Sequence, residues 1–226
     1  MSRVLPILFN TEMVRAILDG RKSCIRRIVK GYIPKDAQFG YTVFTPDGSI
    51  SCRGLFEITG RPGYGEKFFK LPYQPGDILY VRETWGRFEC RNCEGDERGN
   101  CPKEPQKSVL DKTCGCYMYR ATDEISGDAK WHPSIRMPKE AARIWLKVTD
   151  VRVEKLQEIT TEDALKEGAD RIIHVDGSLN EHAIRTCFLG MWNRPIKKSD
   201  IDCYGWDANP WVWVIEFERC EKPEGV

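Results

Sequence analysis

The chain has 226 residues, enough to bury a substantial hydrophobic core as one large domain or as a domain with a sizeable insertion. Its 35 basic and 34 acidic side chains give a formal net charge of +1, which excludes a histone-like protein that coats nucleic acid but allows a local basic surface. No apolar run approaches the ~20 residues needed to span a bilayer, and the N-terminus lacks the apolar stretch of a signal peptide. We therefore expect a cytoplasmic protein with no membrane partner.

The first predicted element is a helix near the N-terminus. The segment NTEMVRAILDG begins with polar residues, spaces its apolar residues at positions 13, 14, 17 and 18, and ends at Gly20, which is typical of a helix with a glycine after its last turn. The stretch GRKSCIRR, residues 20–27, then places four basic side chains within eight residues. Cations near a helix C-terminus compensate for its outward-pointing carbonyls, which is the simplest interpretation of this charge.

Short strands and turns are predicted next. Residues 40–70 are rich in glycine, aromatic and β-branched residues, a composition typical of short strands. The turn sequence PGD then precedes a partly buried strand from Ile78 to Glu83. His132 lies in a later predicted loop, and because no serine or cysteine nucleophile motif accompanies it, we do not expect it to be catalytic.

The last third of the chain is predicted to combine a long strand, two helices and a closing strand. The segment ARIWLKVTDVRVEKL alternates apolar and polar residues up to Val148 and changes phase at Val151, which indicates a strand with a bulge or bend. The other predicted elements are a short helix capped by Thr160 or Thr161 and ending at Gly168, a helix from about Asn180 to Trp192, and a strand from Trp211 to Phe217. Together these patterns predict an α+β fold.

Residues 89–116 form a charged, cysteine-rich insertion with almost no apolar side chains. Such a segment cannot order itself by burial, which favours a structural zinc site with tetrahedral thiolate ligands over free thiols or disulfides. The candidate ligands are two close pairs, with a fifth cysteine between them as an alternate: Cys90 and Cys93, Cys114 and Cys116, and Cys101. The scattered cysteines are most simply buried apolar residues: Cys24, Cys52, Cys187, Cys203 and Cys220.

The pattern G-x-K-x-x-x-x-R at Gly20, Lys22 and Arg27, followed later by a GDILYVRE strand, resembles the ASCH domain, a relative of the PUA fold. Four collinear blocks resemble the phage and prophage branch of that family: ILFNTEMVRAILDGRK, YQPGDILYVRETW, PSIRMPKEAARIWLKVTDVRVEKLQEITTEDALKEG and GWDANPWVWVIEF. Together they comprise 78 of the 226 residues, about a third, and they extend from residue 7 to residue 217. The resemblance implies one PUA-like domain over residues 1–226, a small β-barrel with flanking helices, interrupted by the insertion at 89–116.

Some small bacterial members of the ASCH family hydrolyse the amide of N(4)-acetylcytidine with a lysine, a threonine and a glutamate. Lys22 matches the lysine, and Glu83 is a plausible counterpart of the glutamate. The threonine position is occupied by Ile25, which has no hydroxyl group. The resemblance therefore implies Lys22 and Glu83 as candidate catalytic residues, whereas the missing hydroxyl favours a binding protein.

The residues around Lys22 suggest a chemical reason for such a role. Arg21, Arg26 and Arg27 are close in sequence, and their positive charges should disfavour the ammonium form of Lys22. A neutral amine would then be available as a base or nucleophile, and the Glu83 carboxylate could move a proton or orient water.

The function that the resemblance and the charge pattern imply is recognition of RNA, or of a modified nucleoside or base, in a basic PUA-like pocket. Lys22, Arg27 and Glu83 would line this pocket, and the charges of GRKSCIRR would form its rim. The candidate ligand-binding residues are Gly20, Arg26, Arg27, Trp85 and Tyr119. The basic side chains of Lys22, Arg26 and Arg27 could contact phosphates. Trp85 and Tyr119 could stack an unpaired base or belong to the core instead. One alternative is a hydrolase of a modified nucleoside, or a nuclease. Another is a phage accessory protein that binds a host protein, which would then act in the bacterial cytoplasm.

Overall fold

The structure, a computed structural model, describes residues 2–31, 33, 37–43, 53–57, 67–89, 106–107, 114–123 and 130–224. The α-helices are α1 (Thr11–Leu18), α2 (Thr161–Lys166), α3 (Glu181–Asn193) and α4 (Ile201–Tyr204). The strands are β1 (Val4–Leu8), β2 (Cys24–Ile28), β3 (Gln38–Val43), β4 (Arg53–Glu57), β5 (Lys67–Lys70), β6 (Ile78–Arg82), β7 (Trp85–Glu89), β8 (Gln106–Lys107), β9 (Cys114–Tyr119), β10 (Trp145–Lys155) and β11 (Trp211–Cys220). The mixture of helices and strands confirms the α+β prediction.

The chain divides into two compact units, a subdivision that the sequence did not indicate. The first unit comprises Met1–Leu5, Ala16–Leu79 and Trp145–Val226. The second unit comprises Pro6–Arg15 and Tyr80–Ile144. Each unit contains residues that the sequence singled out, and each is described below by itself.

A five-stranded sheet has the strand order β1-β6-β10-β11-β2. β11 pairs antiparallel with both β10 and β2, so the last of the described strands lies between two earlier ones. The register shifts between Val148 and Asp150, which confirms the predicted bulge in the long strand. Among the described residues this sheet is open, with β1 and β2 at its edges, and the closed PUA-like barrel stays a prediction.

The helix ends follow the capping residues in the sequence. The Thr160 side chain accepts a hydrogen bond from the backbone N–H of Asp163 at 3.1 Å, and the Asn180 side chain accepts one from the Ala183 N–H at 3.0 Å. Each bond satisfies a backbone donor that the first helical turn leaves unpaired. The sequence therefore predicts the starts of α2 and α3 correctly.

The core of the first unit lies where α2 and α3 pack against β2 and β11. Ile184 and Phe188 of α3 are buried against Cys24, Val212 and Val214 of the two strands. A fully buried Ile or Phe side chain contributes about 1.5–3 kcal/mol, so these helices hold the strands together. Among the helices of the described segments, none is long and apolar enough to cross a membrane.

The prediction that the scattered cysteines are buried holds only in part. Cys24 is buried, whereas Cys187 and Cys220 are partly exposed and Cys203 is exposed. Cys203 lies on α4, a helix of four residues with no buried side chain, so it has no core to enter. Cys52 lies outside the described residues.

Candidate functional site

Lys22 lies in the turn between α1 and β2, and its amine is completely enclosed. Its Nζ donates to the Glu167 carboxylate Oε2 at 2.7 Å, to the Glu167 backbone carbonyl at 2.8 Å and to the Cys24 carbonyl at 2.6 Å. The side chains of Lys22 and Glu167 are 0% and 6% exposed. An ammonium group has three donors, and these three acceptors satisfy all of them.

The contacts of Lys22 are not the ones that the sequence suggested. The sequence suggested that neighbouring arginines would disfavour its positive charge, but the group in contact with Nζ is a carboxylate 145 residues away. Arg21 instead pairs with Asp19 at the surface, where both side chains are about half exposed. The three acceptors hold the Lys22 amine in place, so it is not free to approach a substrate in this conformation.

Arg26 is the second cation of this buried cluster. Its Nε donates to Glu154 Oε1 at 2.9 Å and its Nη1 to Glu167 Oε1 at 3.3 Å, and Nη2 lies 3.5 Å from Asp163 Oδ2. Burial opposes the charged form, but the carboxylates outweigh it, Glu167 first, and the pKa of Arg26 is raised above its usual value. The Glu167 carboxylate thus bridges Lys22 and Arg26, and we call these two cations with Glu154, Asp163 and Glu167 the buried ionic cluster.

The buried ionic cluster changes the interpretation of GRKSCIRR. Lys22 and Arg26 are 3% and 4% exposed, so their charges face the interior of the first unit rather than the solvent-exposed rim that the sequence suggested. Burial also raises the pKa of the adjacent Cys24 thiol, with the Glu167 carboxylate as the next cause. Since a buried charge without a counter-charge is costly, each of these cations needs its carboxylate partners while it is buried. A role for either cation in binding phosphate stays a prediction.

Two further residues of the motif lie close to this cluster in sequence. Arg27 is half-buried on β2, opposite Trp213 of β11, and burial lowers the pKa of its guanidinium. Gly20 has a φ of +73°, and the space where a Cβ would stand is open for 4 Å. A left-handed turn with no neighbouring atoms suits glycine. Ligand contacts by Gly20 and Arg27 stay predictions.

Glu83 follows β6 in the second unit and is held by an arginine. Its carboxylate, 1% exposed, accepts from Arg143 Nε at 2.9 Å and from Nη2 at 3.0 Å, a bidentate pair. Arg143 Nη1 also donates to the Thr122 hydroxyl at 2.9 Å. Lys22 and Glu83 thus have separate counter-charges, Glu167 in the first unit and Arg143 in the second. Their predicted cooperation in catalysis stays a prediction.

Tyr119 lies directly beside the Glu83 and Arg143 pair. The Arg143 guanidinium carbon is 4.0 Å from the centre of its ring, and the phenol donates to the Ala141 carbonyl at 2.7 Å. Burial raises the pKa of Tyr119 to about 12, although the Arg143 charge acts in the opposite direction. The ring is thereby fixed in orientation while it remains partly exposed.

Trp85 stands opposite Tyr119 on paired strands. β7 and β9 are antiparallel, with Trp85 facing Tyr119 and Arg87 facing Tyr117, and an isolated bridge joins Trp85 to His132 on the other side. The Trp85 ring lies 5.7 Å from the Tyr117 ring and 5.0 Å from the His132 ring, centre to centre. All these side chains are partly exposed. We call Trp85, Arg87, Tyr117, Tyr119 and His132 the aromatic face.

One polar atom of the aromatic face is unsatisfied. The indole Nε1 of Trp85 is buried, and no hydrogen-bond partner for it is found in the part of the chain that the structure describes. A buried donor without an acceptor costs about 1–3 kcal/mol. Sequence reasoning singled out Trp85 and Tyr119 but missed Tyr117, Arg87 and the stacking position of His132. The alternation of aromatic residues in CGCYMY was the available signal.

The predicted zinc site falls largely on residues that the structure leaves undescribed. Cys90, Cys93 and Cys101 lie outside the described residues, and for Cys114 and Cys116 only their place in β9 is given. Among the residues that are described, no group of three or more His, Cys, Asp or Glu side chains is arranged to hold a metal ion. Structural zinc in the insertion stays a prediction.

No protein-family model, curated protein or solved structure matches this chain. The resemblance to the ASCH domain therefore remains a prediction from the four sequence blocks. The function has to be inferred from the geometry of the two units, where the partly exposed aromatic face contrasts with the ionic cluster, whose two cations are buried.

Proposed function

We propose that this protein binds RNA or a modified nucleoside, on a PUA-like fold, through the second unit. The observation that carries the proposal is the placement of Trp85 opposite Tyr119, both partly exposed, with the Arg143 guanidinium against the tyrosine ring. Aromatic side chains on a sheet stack unpaired bases, and each stacked base contributes about 1–3 kcal/mol. Two such rings would supply much of the affinity of a specific nucleoside site.

The charges of the molecule support stacking as the main source of affinity. Lys22 and Arg26 are matched by buried carboxylates, and Arg143 is matched by Glu83. Few of the cations predicted to meet phosphate are therefore available for it in this conformation. We expect RNA affinity to fall less steeply with salt than in proteins that bind mainly through phosphate contacts.

Hydrolysis of an acylated cytidine is the less favoured alternative. It would need the Lys22 amine as a base or nucleophile, and all three of its donors are engaged by acceptors. It would also need Glu83, whose carboxylate is bound on both oxygens by Arg143. No observation favours a host-protein partner, although a pull-down from host lysate with a stoichiometric product would support one.

The test measures binding and turnover together. Labelled 10-nucleotide RNA and free nucleosides, including cytidine and N(4)-acetylcytidine, are titrated and followed by anisotropy and tryptophan quenching. We expect Trp85→Leu to weaken binding roughly 5- to 150-fold, the equivalent of ~1–3 kcal/mol. Tyr204→Leu changes a partly exposed aromatic residue of the first unit and serves as the matched control.

Failure of the wild-type protein to bind every RNA and nucleoside would refute the proposed function. Release of acetate from N(4)-acetylcytidine, lost in Lys22→Ala but kept in Arg21→Ala, would establish the hydrolase instead. A structural zinc in the insertion belongs to the proposal as well. Elemental analysis that finds less than about half a zinc per chain would remove it.

A further inference from the structure

We infer that the aromatic face is a platform for an unpaired nucleic-acid strand, so that the ligand class is single-stranded nucleic acid rather than a duplex or a free nucleoside. This inference rests on the proposed function, since it names the ligand of the same unit. It is carried by the strand register, the ring geometry and the unsatisfied indole of Trp85.

The register places all five side chains on one side of the sheet. In an antiparallel sheet, directly opposed residues point the same way and residues two apart along a strand share a face. Trp85 opposes both Tyr119 and His132, while Arg87, two residues on, opposes Tyr117. Three consecutive positions across the sheet therefore carry rings, with a cation beside them.

The opposite side of the sheet is occupied differently. Gly86 lies between Trp85 and Arg87 of β7, and a Cβ there would come within 3.7 Å of the Trp131 ring. Trp131 therefore covers the Gly86 side, where Arg120 approaches its ring at 6.0 Å. The sheet thus has one side covered by Trp131 and another that presents the rings of the aromatic face, partly exposed.

A row of rings selects for unpaired bases. In a duplex the base faces are stacked on each other, so they cannot lie against protein side chains without being unstacked at a cost of a few kcal/mol. A free nucleoside offers one base to one ring. A single strand offers successive bases to successive rings, and each additional stacked base adds about 1–3 kcal/mol, which favours the strand over the nucleoside by roughly 5- to 150-fold per base.

The Trp85 indole is an independent sign of a missing partner. Its Nε1–H is buried and finds no acceptor among the described residues, although buried donors are nearly always paired. The carbonyl oxygens and ring nitrogens of bases and the oxygens of phosphates are suitable acceptors. Because Nε1 is enclosed by the protein, a strand could supply one only if the Trp85 ring turns on binding, and this would recover the cost of the unpaired donor.

The charge of the aromatic face predicts the salt dependence. Arg87 is its one cation, and each phosphate neutralised on a single strand contributes a slope of about −0.7 to the plot of log affinity against log salt. One contact therefore gives a slope near −0.7. A strand held mainly by a basic groove would lose affinity several times more steeply.

The experiment compares one sequence in three forms. A labelled adenine-containing 10-nucleotide strand, the same strand annealed to its complement, and free adenosine are titrated into the full-length protein. We expect the strand to bind at least tenfold more tightly than the duplex or the nucleoside. Tyr117→Ala and His132→Ala should each weaken strand binding roughly 5- to 150-fold, while Tyr117→Phe keeps the ring and the affinity.

The outcomes separate this inference from the proposed function. Binding of the strand that Tyr117→Ala and His132→Ala both leave unchanged overturns the platform while RNA binding stands. Equal affinity for strand and duplex, or for strand and nucleoside, does the same. Circular dichroism confirms that each variant is folded, and the His132 variant decides the question if the Tyr117 variant is not. Absence of binding to all three forms refutes the proposed function itself.

Discussion

Replacing Lys22 with methionine tests whether the buried ionic cluster holds the first unit together. Methionine keeps the unbranched side chain but removes the charge and all three hydrogen bonds. The Glu167 carboxylate and two backbone carbonyls would then be buried without the donor they share. Because desolvation of a charge is paid whether or not its partner is present, we expect a large loss of stability.

The geometry of the buried ionic cluster determines how much stability Lys22→Met should lose. Removing one member of a buried ion pair costs about 3–5 kcal/mol, and the lower end applies because Arg26 Nη1 stays 3.3 Å from Glu167 Oε1. We therefore expect Lys22→Met to lower the free energy of unfolding by about 3 kcal/mol. With a urea m-value of about 2 kcal/mol/M, the unfolding midpoint should fall by about 1.5 M.

The assay is urea unfolding followed by tryptophan fluorescence, with the adjacent residue as control. Arg21 also carries a salt bridge, but its side chain is 47% exposed and that of its partner Asp19 is 57% exposed. Arg21→Ala should therefore change stability by less than about 0.5 kcal/mol. A double variant, Lys22→Met with Glu167→Gln, should be more stable than Lys22→Met alone, because no carboxylate is left without Nζ. Equal effects of Lys22→Met and Arg21→Ala would refute the reasoning.

Three further predictions concern single positions. Gly168→Ala should lower the free energy of unfolding by about 2 kcal/mol, because φ is +96° and the new Cβ would lie 3.2 Å from the Ala16 Cβ. Gly177→Ala has a φ of +85° but open space around it, and it should lower the free energy of unfolding by about 1 kcal/mol in the same urea assay. Burial raises the pKa of the Cys24 thiol, so iodoacetamide should label the exposed Cys203 well before Cys24 in native protein. Mass spectrometry of the labelled peptides measures both rates, and equal rates would contradict the prediction. The pKa of Tyr119 is raised to about 12, so the unfolded state loses this proton first and stability should fall as pH rises from about 10 to about 12. Tyr119→Phe should remove that part of the slope, and an unchanged slope would contradict it.

Local patterns in the sequence predicted the elements well. The change of phase between Val148 and Val151 marks the observed bulge. Thr160, one of the two threonines expected to cap α2, caps it, and α3 begins next to Asn180, where its start was predicted. These features depend on residues within one or two turns of each other. Such short-range interactions can be predicted from the local sequence alone.

The contacts that define the sites join distant parts of the chain and were not predicted. Counting neighbours placed only arginines around Lys22, whereas the fold supplies Glu167 from α2. The sequence did hold a hint, since the acidic stretch 158–170 offsets the basic N-terminal segment in charge. Similarly, Trp85 and Tyr119 drew attention singly, but only the pairing of β7 with β9 brings them together with Tyr117. Charge and composition thus identified individual residues of the sites but not the residues that they contact.

The position of β11 has a consequence for how the protein is made. This strand lies between β10 and β2, and of the described strands it is the last to leave the ribosome. β2 emerges first among the three, yet its neighbour in the sheet and the carboxylates that balance Lys22 and Arg26 are synthesised more than a hundred residues later. Until then these cations remain hydrated and β2 has no neighbouring strand to pair with. We expect the first unit to fold only after β11 has been synthesised, so that a nascent chain stalled before β11 would be readily cut by proteases within residues 16–28.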